Sequence, residues 1–435
     1  MLDMNDPLIA LSNAIDWKIF ENEFAGFYSK DGSPAKPIRL MVGLLILKQL
    51  ENLSDESIVI QWKRNPYYQY FCGYNEMQVC EPCHSTQLVK FRQRIGTKGM
   101  ELIFKVSVQL HGSCAEEKQV LIDTTVQEKN ITYPTDGKLA IKMIHHLHKI
   151  GKKEQLNLRR TFVKEIKEHR INLRFFKHPK KIKKARASIK RLRTIVGILI
   201  RDISRNLSQD KLSNYENTFK LFDKVRNQQI KDSNKVLSLH ETHVYAITKG
   251  KDHKKYEYGT KASIVATKDS GVIVGVASHS KNEHDSKTLE AALISANQTR
   301  TTPIKEAICD RGYRGVKEVL GTTICIPGTP LKRDSEYQKQ KKREKFKRRA
   351  AIEPIIGHLK SDFRLARNYL KGFIGDQINL LLAATAWNLK KWINIYFFAL
   401  FNGETKLLLE SVSQIKLYYQ IFLQLIVIKL IFIHS

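Results

Sequence analysis

Acidic residues are few for the number of bases. The 435-residue chain carries 43 Asp and Glu against 74 Lys and Arg, a formal net charge of +31. That deficit argues against a basic partner and points to a polyanion, nucleic acid before a membrane surface. No basic amphipathic helix with a clear lipid-facing side is seen, so no membrane partner is expected. Cysteine is also sparse. Six in a chain of this length do not make a disulfide framework, and they fit a reducing compartment. The N-terminus, Met-Leu-Asp-Met-Asn-Asp, has no basic segment followed by an apolar core, so no signal peptide is expected and the location read is cytoplasmic. The apolar tail Ile421 to Ile433 is interrupted by Gln424 and Lys429. It falls short of the roughly 20 residues of a spanning helix and reads as a docking helix or a terminal extension.

The length allows two or three domains. Residues 1–115 read as an N-terminal helical domain for DNA binding and assembly. Pro37 suits the first turn of a helix whose apolar face is Leu40, Leu44 and Leu47. Ser54 is an N-cap for a helix to Arg64, with Asp55 and Glu56 in its first turn. A short helix over Thr86–Ile95 carries Lys90, Arg92 and Arg94, and helix, link and basic helix suit DNA contact by Arg92 and Arg94. A strand follows over Lys118–Val126, its apolar part ending at Asp123. Residues 138–235 read as a basic helical insertion. The run from Lys177 to Arg186 places Lys180, Lys181, Lys183 and Lys184 as candidates for the DNA backbone.

Strand character returns at Tyr258–Thr267 and Val272–His279, joined through Asp269-Ser270-Gly271 as a hairpin. Then come a helix over Asp285–Gln298, a strand over Ile304–Cys309 ending at Asp310, and a strand over Thr322–Pro327. A basic stretch, Lys332–Arg349, leads to a helix bearing Glu353, and a last helix spans about Gln377–Phe398. Without the insertion this order predicts an α/β catalytic core, a mixed sheet flanked by helices. The fold with that order, and with acids at the end of strand one, after strand four and on a late helix, is ribonuclease-H-like. The catalytic domain is expected over 116–137 and 236–400, with an apolar tail over 401–435.

Alone, Asp123 and Asp310 would be turn residues and Glu353 a surface acid. Together they offer hard oxygen ligands of the kind Mg²⁺ takes, and two divalent cations are a means of cleaving a phosphodiester. Arg349 lies four residues before Glu353 and Lys360 seven after it, so all three share one helix face. Pro354 removes a backbone donor, so the helix either begins close to Glu353 or kinks there. Cys80, Cys83 and His84, with Cys72, are an incomplete zinc pattern.

The stretches Leu121-Ile-Asp123-Thr-Thr-Val-Gln-Glu-Lys-Asn-Ile-Thr-Tyr-Pro-Thr-Asp136, Cys309-Asp310-Arg-Gly-Tyr-Arg-Gly315 and the Arg349, Glu353, Lys360 set carry a resemblance. So do Asn65-Pro-Tyr-Tyr-Gln-Tyr-Phe-Cys-Gly73 and Pro82 to Gly96. The chain resembles insertion-sequence transposases of the aspartate-aspartate-glutamate type, specifically the insertion-sequence-five family, over most of its length. The resemblance implies that Asp123, Asp310 and Glu353 are catalytic and hold two Mg²⁺ ions, with Mn²⁺ able to substitute. It implies cleavage at the element's terminal inverted repeats and attack of the freed 3′-hydroxyl on target DNA. Its partners would be double-stranded DNA, both element ends and target, and a second copy in a synaptic homodimer on the nucleoid. Arg349 and Lys360 would steady phosphates. Phe346 stands where the family has a tyrosine, keeping the aromatic face without the hydroxyl. A transposase-derived DNA-binding protein without catalysis is the alternative.

Overall fold

The computed structural model describes residues 2–28, 35–229, 231–251, 254–328 and 333–398. The apolar tail and Lys332 lie outside the described residues.

Helices α1 (Pro7–Ala14), α2 (Trp17–Ala25), α3 (Ile38–Leu50), α4 (Asp55–Arg64), α5 (Pro66–Phe71) and α6 (Ser85–Gln109) open the chain. Ser54 caps α4 as its sequence predicts, accepting from the Ser57 amide at 3.0 Å. Pro37 is the N-cap of α3. That helix is buried from Leu40 through Leu50, not only along the face of Leu40, Leu44 and Leu47, as a helix apolar all round must be. The helix expected to stop at Ile95 resumes beyond Gly96, whose φ of 57° and ψ of −158° break α6 into two segments.

The sheet holds seven strands among the described residues. They are β1 (Gln119–Glu128), β2 (Tyr245–Lys251), β3 (Lys254–Thr267), β4 (Ile273–His279), β5 (Glu306–Ile308), β6 (Glu318–Val319) and β7 (Thr322–Cys325). Their order is β2-β3-β1-β5-β7-β6, with β4 also paired to β3. β1 runs antiparallel to β3 and parallel to β5, and β5 runs parallel to β7. This is the mixed sheet flanked by helices that the order of elements predicts. The β3–β4 hairpin turns at Asp269–Gly271, with Gly271 at φ 66°. The edge strand β2 was not anticipated, because its lysines and threonine hide the alternation.

One apolar core runs from α3 and α6 through β1, β3 and β4 to α11 (Leu289–Thr299) and α14 (residues 372–398). The N-terminal helices therefore pack on the sheet rather than apart from it. Between β1 and β2 the chain forms α7 (Asp136–Lys153), α8 (Val163–Leu173), α9 (Ile182–Asn206) and α10 (Gln209–Asn227). These close on a second core of their own, centred on Leu147, Leu192, Leu199 and Phe222. Both stalks of this insertion meet in one buried charge cluster. Lys129, just past β1, lies 2.6 Å from Asp376, and His243, on the return, lies 3.0 Å from the same carboxylate. Helices α12 (Glu336–Lys347) and α13 (Ile352–Ser361) complete the set.

Candidate active site

The site follows from strand register. Leu121 of β1 and Ile308 of β5 form the last described parallel pair. Two residues on along each chain come Asp123 and Asp310, so both acids leave the same end of neighbouring strands. β1 itself continues to Glu128 against β3, where Asp123 pairs with Ile264. Asp123 thus ends the β5 pairing rather than the strand. Each carboxylate is fixed by a nearby amide: Thr124 N–H donates to Asp123 Oδ1 at 2.7 Å and Gly312 N–H to Asp310 Oδ1 at 2.8 Å.

Glu353 reaches the same place through apolar contact. Leu121, Ile308 and Ile352 form a small buried cluster, with Phe346 and Ile356 packed against it. Ile352 is the first residue of α13, so docking it on the strand pair carries Glu353 to the acids. Pro354 falls in the first turn, where a missing N–H costs no intrahelical bond, and α13 is not kinked by it. Phe346 keeps its ring in this cluster, which is how the aromatic face is used without a hydroxyl.

Arg349 stands between two of the acids. Its Nη2 lies 3.6 Å from Asp123 Oδ2 and 3.9 Å from Glu353 Oε1, and its Nε is buried without a hydrogen-bond partner. The expected role for Arg349 was contact with phosphate; here the guanidinium occupies the carboxylates. Lys360 lies on α13, partly buried.

Asp285 was not anticipated. It begins a short 3₁₀ turn before α11, accepts from Thr124 Oγ1 at 2.9 Å, and pairs with Lys261 at 2.9 Å. Tyr313 is fully buried, and its hydroxyl has no hydrogen-bond partner. Burial pushes that hydroxyl's pKa up, and Cys309, Asp123, Asp285 and Asp310 push it further. The Cys309 thiol is raised in the same way, by burial first and then by Asp310 and Asp123. Both shifts report negative charge gathered in a poorly solvated place.

The donor set fits a hard divalent cation, since every acid here offers carboxylate oxygen. The guanidinium between Asp123 and Glu353 shows that this spot accepts positive charge. Among the described residues no three His, Cys, Asp or Glu side chains stand close enough to hold a metal as placed; Arg349 separates two of the acids. The same holds for the incomplete zinc pattern, where Cys72 and Cys83 are buried and Cys80 is exposed.

The candidate DNA contacts divide. Lys180, Lys181, Lys183 and Lys184 are exposed, with Lys181 Nζ 4.3 Å over the Phe175 ring. Arg94 is exposed and stacks 4.5 Å over Tyr28. Arg92 must be corrected: it is 4% exposed and donates two hydrogen bonds to Asp55, which also pairs with Lys48 at 2.9 Å. A residue so enclosed holds α6 to α4 and cannot reach DNA. A groove on α9 and α10 lined by Arg186, Lys190, Arg193, Arg201 and Arg226 was also missed. The helical spacing of the α9 members was the available signal. Among the described residues no helix is long and apolar enough to cross a membrane.

Two family profiles match the chain. Residues 1–94 match a transposase domain (DUF772), and residues 234–389 match a transposase DDE domain. Asp123 and the insertion lie between the two matched stretches. The uncharacterized protein ORF8 in the nfe locus of Rhizobium meliloti is 37% identical over 183 residues, which cover 41% of this chain and 88% of that protein. No solved structure matches the chain.

Proposed function

The chain belongs to the insertion-sequence transposases of the aspartate-aspartate-glutamate type, and on that premise we propose that it cleaves DNA at the terminal inverted repeats of its own element and joins the freed 3′-hydroxyl ends to target DNA. The motif spacing supports placing it in the insertion-sequence-five family. Such enzymes act on DNA with divalent metal ions. We assign Asp123, Asp310 and Glu353 to hold two Mg²⁺, or Mn²⁺ in their place. Bound there, the ions supply Lewis acidity for the attacking and leaving oxygens.

The chain's own residues do the rest. The amides of Thr124 and Gly312 fix one oxygen of each strand carboxylate before substrate arrives. Arg349 exchanges its carboxylate partners for a phosphate oxygen, and Lys360 holds a neighbouring phosphate along the same helix. The exposed lysines of the insertion and the arginine groove beside them track the backbone further out. Arg94 presents the N-terminal domain, residues 1–115, to the element end. Because two ends are joined, two copies act together, and the work is done on the nucleoid in the cytoplasm.

The observation that supports this reading is the docking of Ile352 of α13 on Leu121 of β1 and Ile308 of β5, which brings the helix bearing Glu353 toward the strand ends bearing Asp123 and Asp310. The test is incubation of the protein with linear DNA bearing the repeats that flank its coding region, plus Mg²⁺. Nicks at the repeat boundaries are expected. Clear binding without nicks would overturn the reading in favour of a DNA-binding derivative without catalysis.

A further inference from the structure

We propose that Asp285 is a positioning residue for DNA cleavage, acting through Thr124 to set the carboxylate of Asp123. This rests on the reading of Asp123 and Asp310 given above.

Thr124 faces both acids. Its main-chain N–H donates to Asp123 Oδ1 at 2.7 Å, and its side-chain hydroxyl donates to Asp285 Oδ1 at 2.9 Å. The strand needs such a tether at this point. The pairing of β1 with β5 ends at Leu121, and from Ile122 to Glu128 the strand pairs with β3 alone. One side of the segment bearing Asp123 is therefore held by a backbone ladder, and the other is left to side chains. The bond from Thr124 to Asp285 is one of these.

Asp285 is itself anchored, so it can serve as a fixed acceptor. Lys261 Nζ donates to Asp285 Oδ1 at 2.9 Å and to the Glu283 carbonyl at 2.5 Å. Lys261 is buried, and its own amide donates to the Tyr245 hydroxyl, which donates to the His279 carbonyl at 2.8 Å. The lysine is thus tied at both its backbone and its ammonium. Its charge strengthens the carboxylate it pairs with as an oriented group.

The second oxygen of Asp285 abuts the other strand acid's holder. A β-carbon placed on Gly312 would lie 3.2 Å from Asp285 Oδ2. Gly312 is the residue whose N–H donates to Asp310 Oδ1 at 2.8 Å. Its bareness lets the 3₁₀ turns Asp285–Lys287 and Arg311–Tyr313 pack together. Asp285 therefore touches both residues whose amides hold the strand carboxylates. Small displacements of such groups cost rate rather than affinity.

The competing explanation is a structural clamp, in which Asp285 joins β3 to β1 and has no bearing on the chemistry. Single-turnover cleavage of DNA carrying the element's ends, with Mg²⁺ and saturating full-length protein, separates the two. Thr124→Val removes the hydroxyl and keeps the amide, Thr124→Ser keeps both, and Asp285→Ala removes the acceptor. We expect Thr124→Val and Asp285→Ala each to cleave about tenfold or more slowly, with affinity for the ends within about twofold of wild type. Thr124→Ser should cleave at nearly the wild-type rate. The double variant Thr124→Val with Asp285→Ala should be no slower than the slower single variant, because both break one connection. If Asp285→Ala fails to fold, the Thr124 pair decides alone. Rate losses that multiply in the double variant would overturn the proposal, as would wild-type cleavage by Thr124→Val. A lowered melting temperature with unchanged cleavage would leave only the clamp. Asp310→Asn is run beside these. If it is inactive while Thr124→Val cleaves normally, the positioning role is wrong and the site stands; if it cleaves like wild type, both fall.

Discussion

The Arg349 guanidinium lies 3.6 Å from the Asp123 carboxylate, so a cation from the approach to a late helix stands against the acid of the first strand. It fills the place between Asp123 and Glu353. Replacing it with methionine should leave those acids to repel each other. Arg349→Met is expected to melt a few degrees below wild type in chelator, about 1 kcal/mol at most for pairs this exposed. Mg²⁺ should then restore more stability than it adds to wild type. Melting curves with and without Mg²⁺ check this; equal gains for both proteins would contradict it.

Gly312→Ala tests how closely the Asp310 carboxylate is fitted. The new β-carbon would meet Asp310 Oδ1 at 2.9 Å. The carboxylate must turn away, which a side chain does easily and a catalytic ligand does not. We expect at least tenfold slower cleavage with a melting temperature close to wild type. Unchanged cleavage would mean that Asp310 has room to spare.

Arg92→Ala should destabilise without weakening DNA binding. Arg92 is buried against Asp55, and removing one partner of such a pair costs about 3–5 kcal/mol. Urea unfolding and DNA binding, measured on the same preparation, are expected to separate in this way. Loss of affinity in a fully folded variant would return Arg92 to the DNA surface.

The same pair sets an acid limit. Burial alone would raise the Asp55 pKa, but the hydrogen bond from Arg92 and the charge of Lys48 outweigh it, holding the group at about 2 against an ordinary 3.8. A lowered folded-state pKa stabilises above the unfolded value and stops doing so as pH falls through the folded one. The contribution, about 2 kcal/mol, is therefore full above pH 4 and lost by about pH 2. The stability gap between wild type and Asp55→Asn should narrow across that window. A constant gap would contradict the assignment.

Changing Lys180, Lys181, Lys183 and Lys184 together to alanine should flatten the salt dependence of DNA binding. Each phosphate contact contributes about 0.9 to the slope of log K against log salt, so the slope should fall by up to about 3–4. An unchanged slope would remove this face of the insertion from the DNA path.

Much of this arrangement could be read from residues near one another in the chain. Ser54 as a cap, the Asp269–Gly271 turn and the helices of the insertion are local decisions. So was the spacing of Glu353 and Lys360, because α13 carries both; Arg349 lies just before it, in the 3₁₀ turn Arg348–Ala351. What escaped were contacts between distant segments. Asp55 read as a helix-dipole residue, yet its partner Arg92 lies on another helix, and only packing buries the pair. Asp285 read as the start of a helix; its tether to Thr124 joins residues that no local pattern relates. The sequence could nominate Asp123 and Asp310, but their common level depends on the β1–β5 register.

The most direct test of the catalytic assignment is Asp310→Asn, assayed for both binding and cleavage on DNA carrying the element's ends. The substitution keeps an oxygen for the Gly312 amide and removes the charge. The expected result is cleavage at least a thousandfold down, with affinity for the ends within about twofold of wild type, a loss of about 4 kcal/mol confined to the transition state. Cleavage that persists, or binding lost in equal measure, would contradict the assignment.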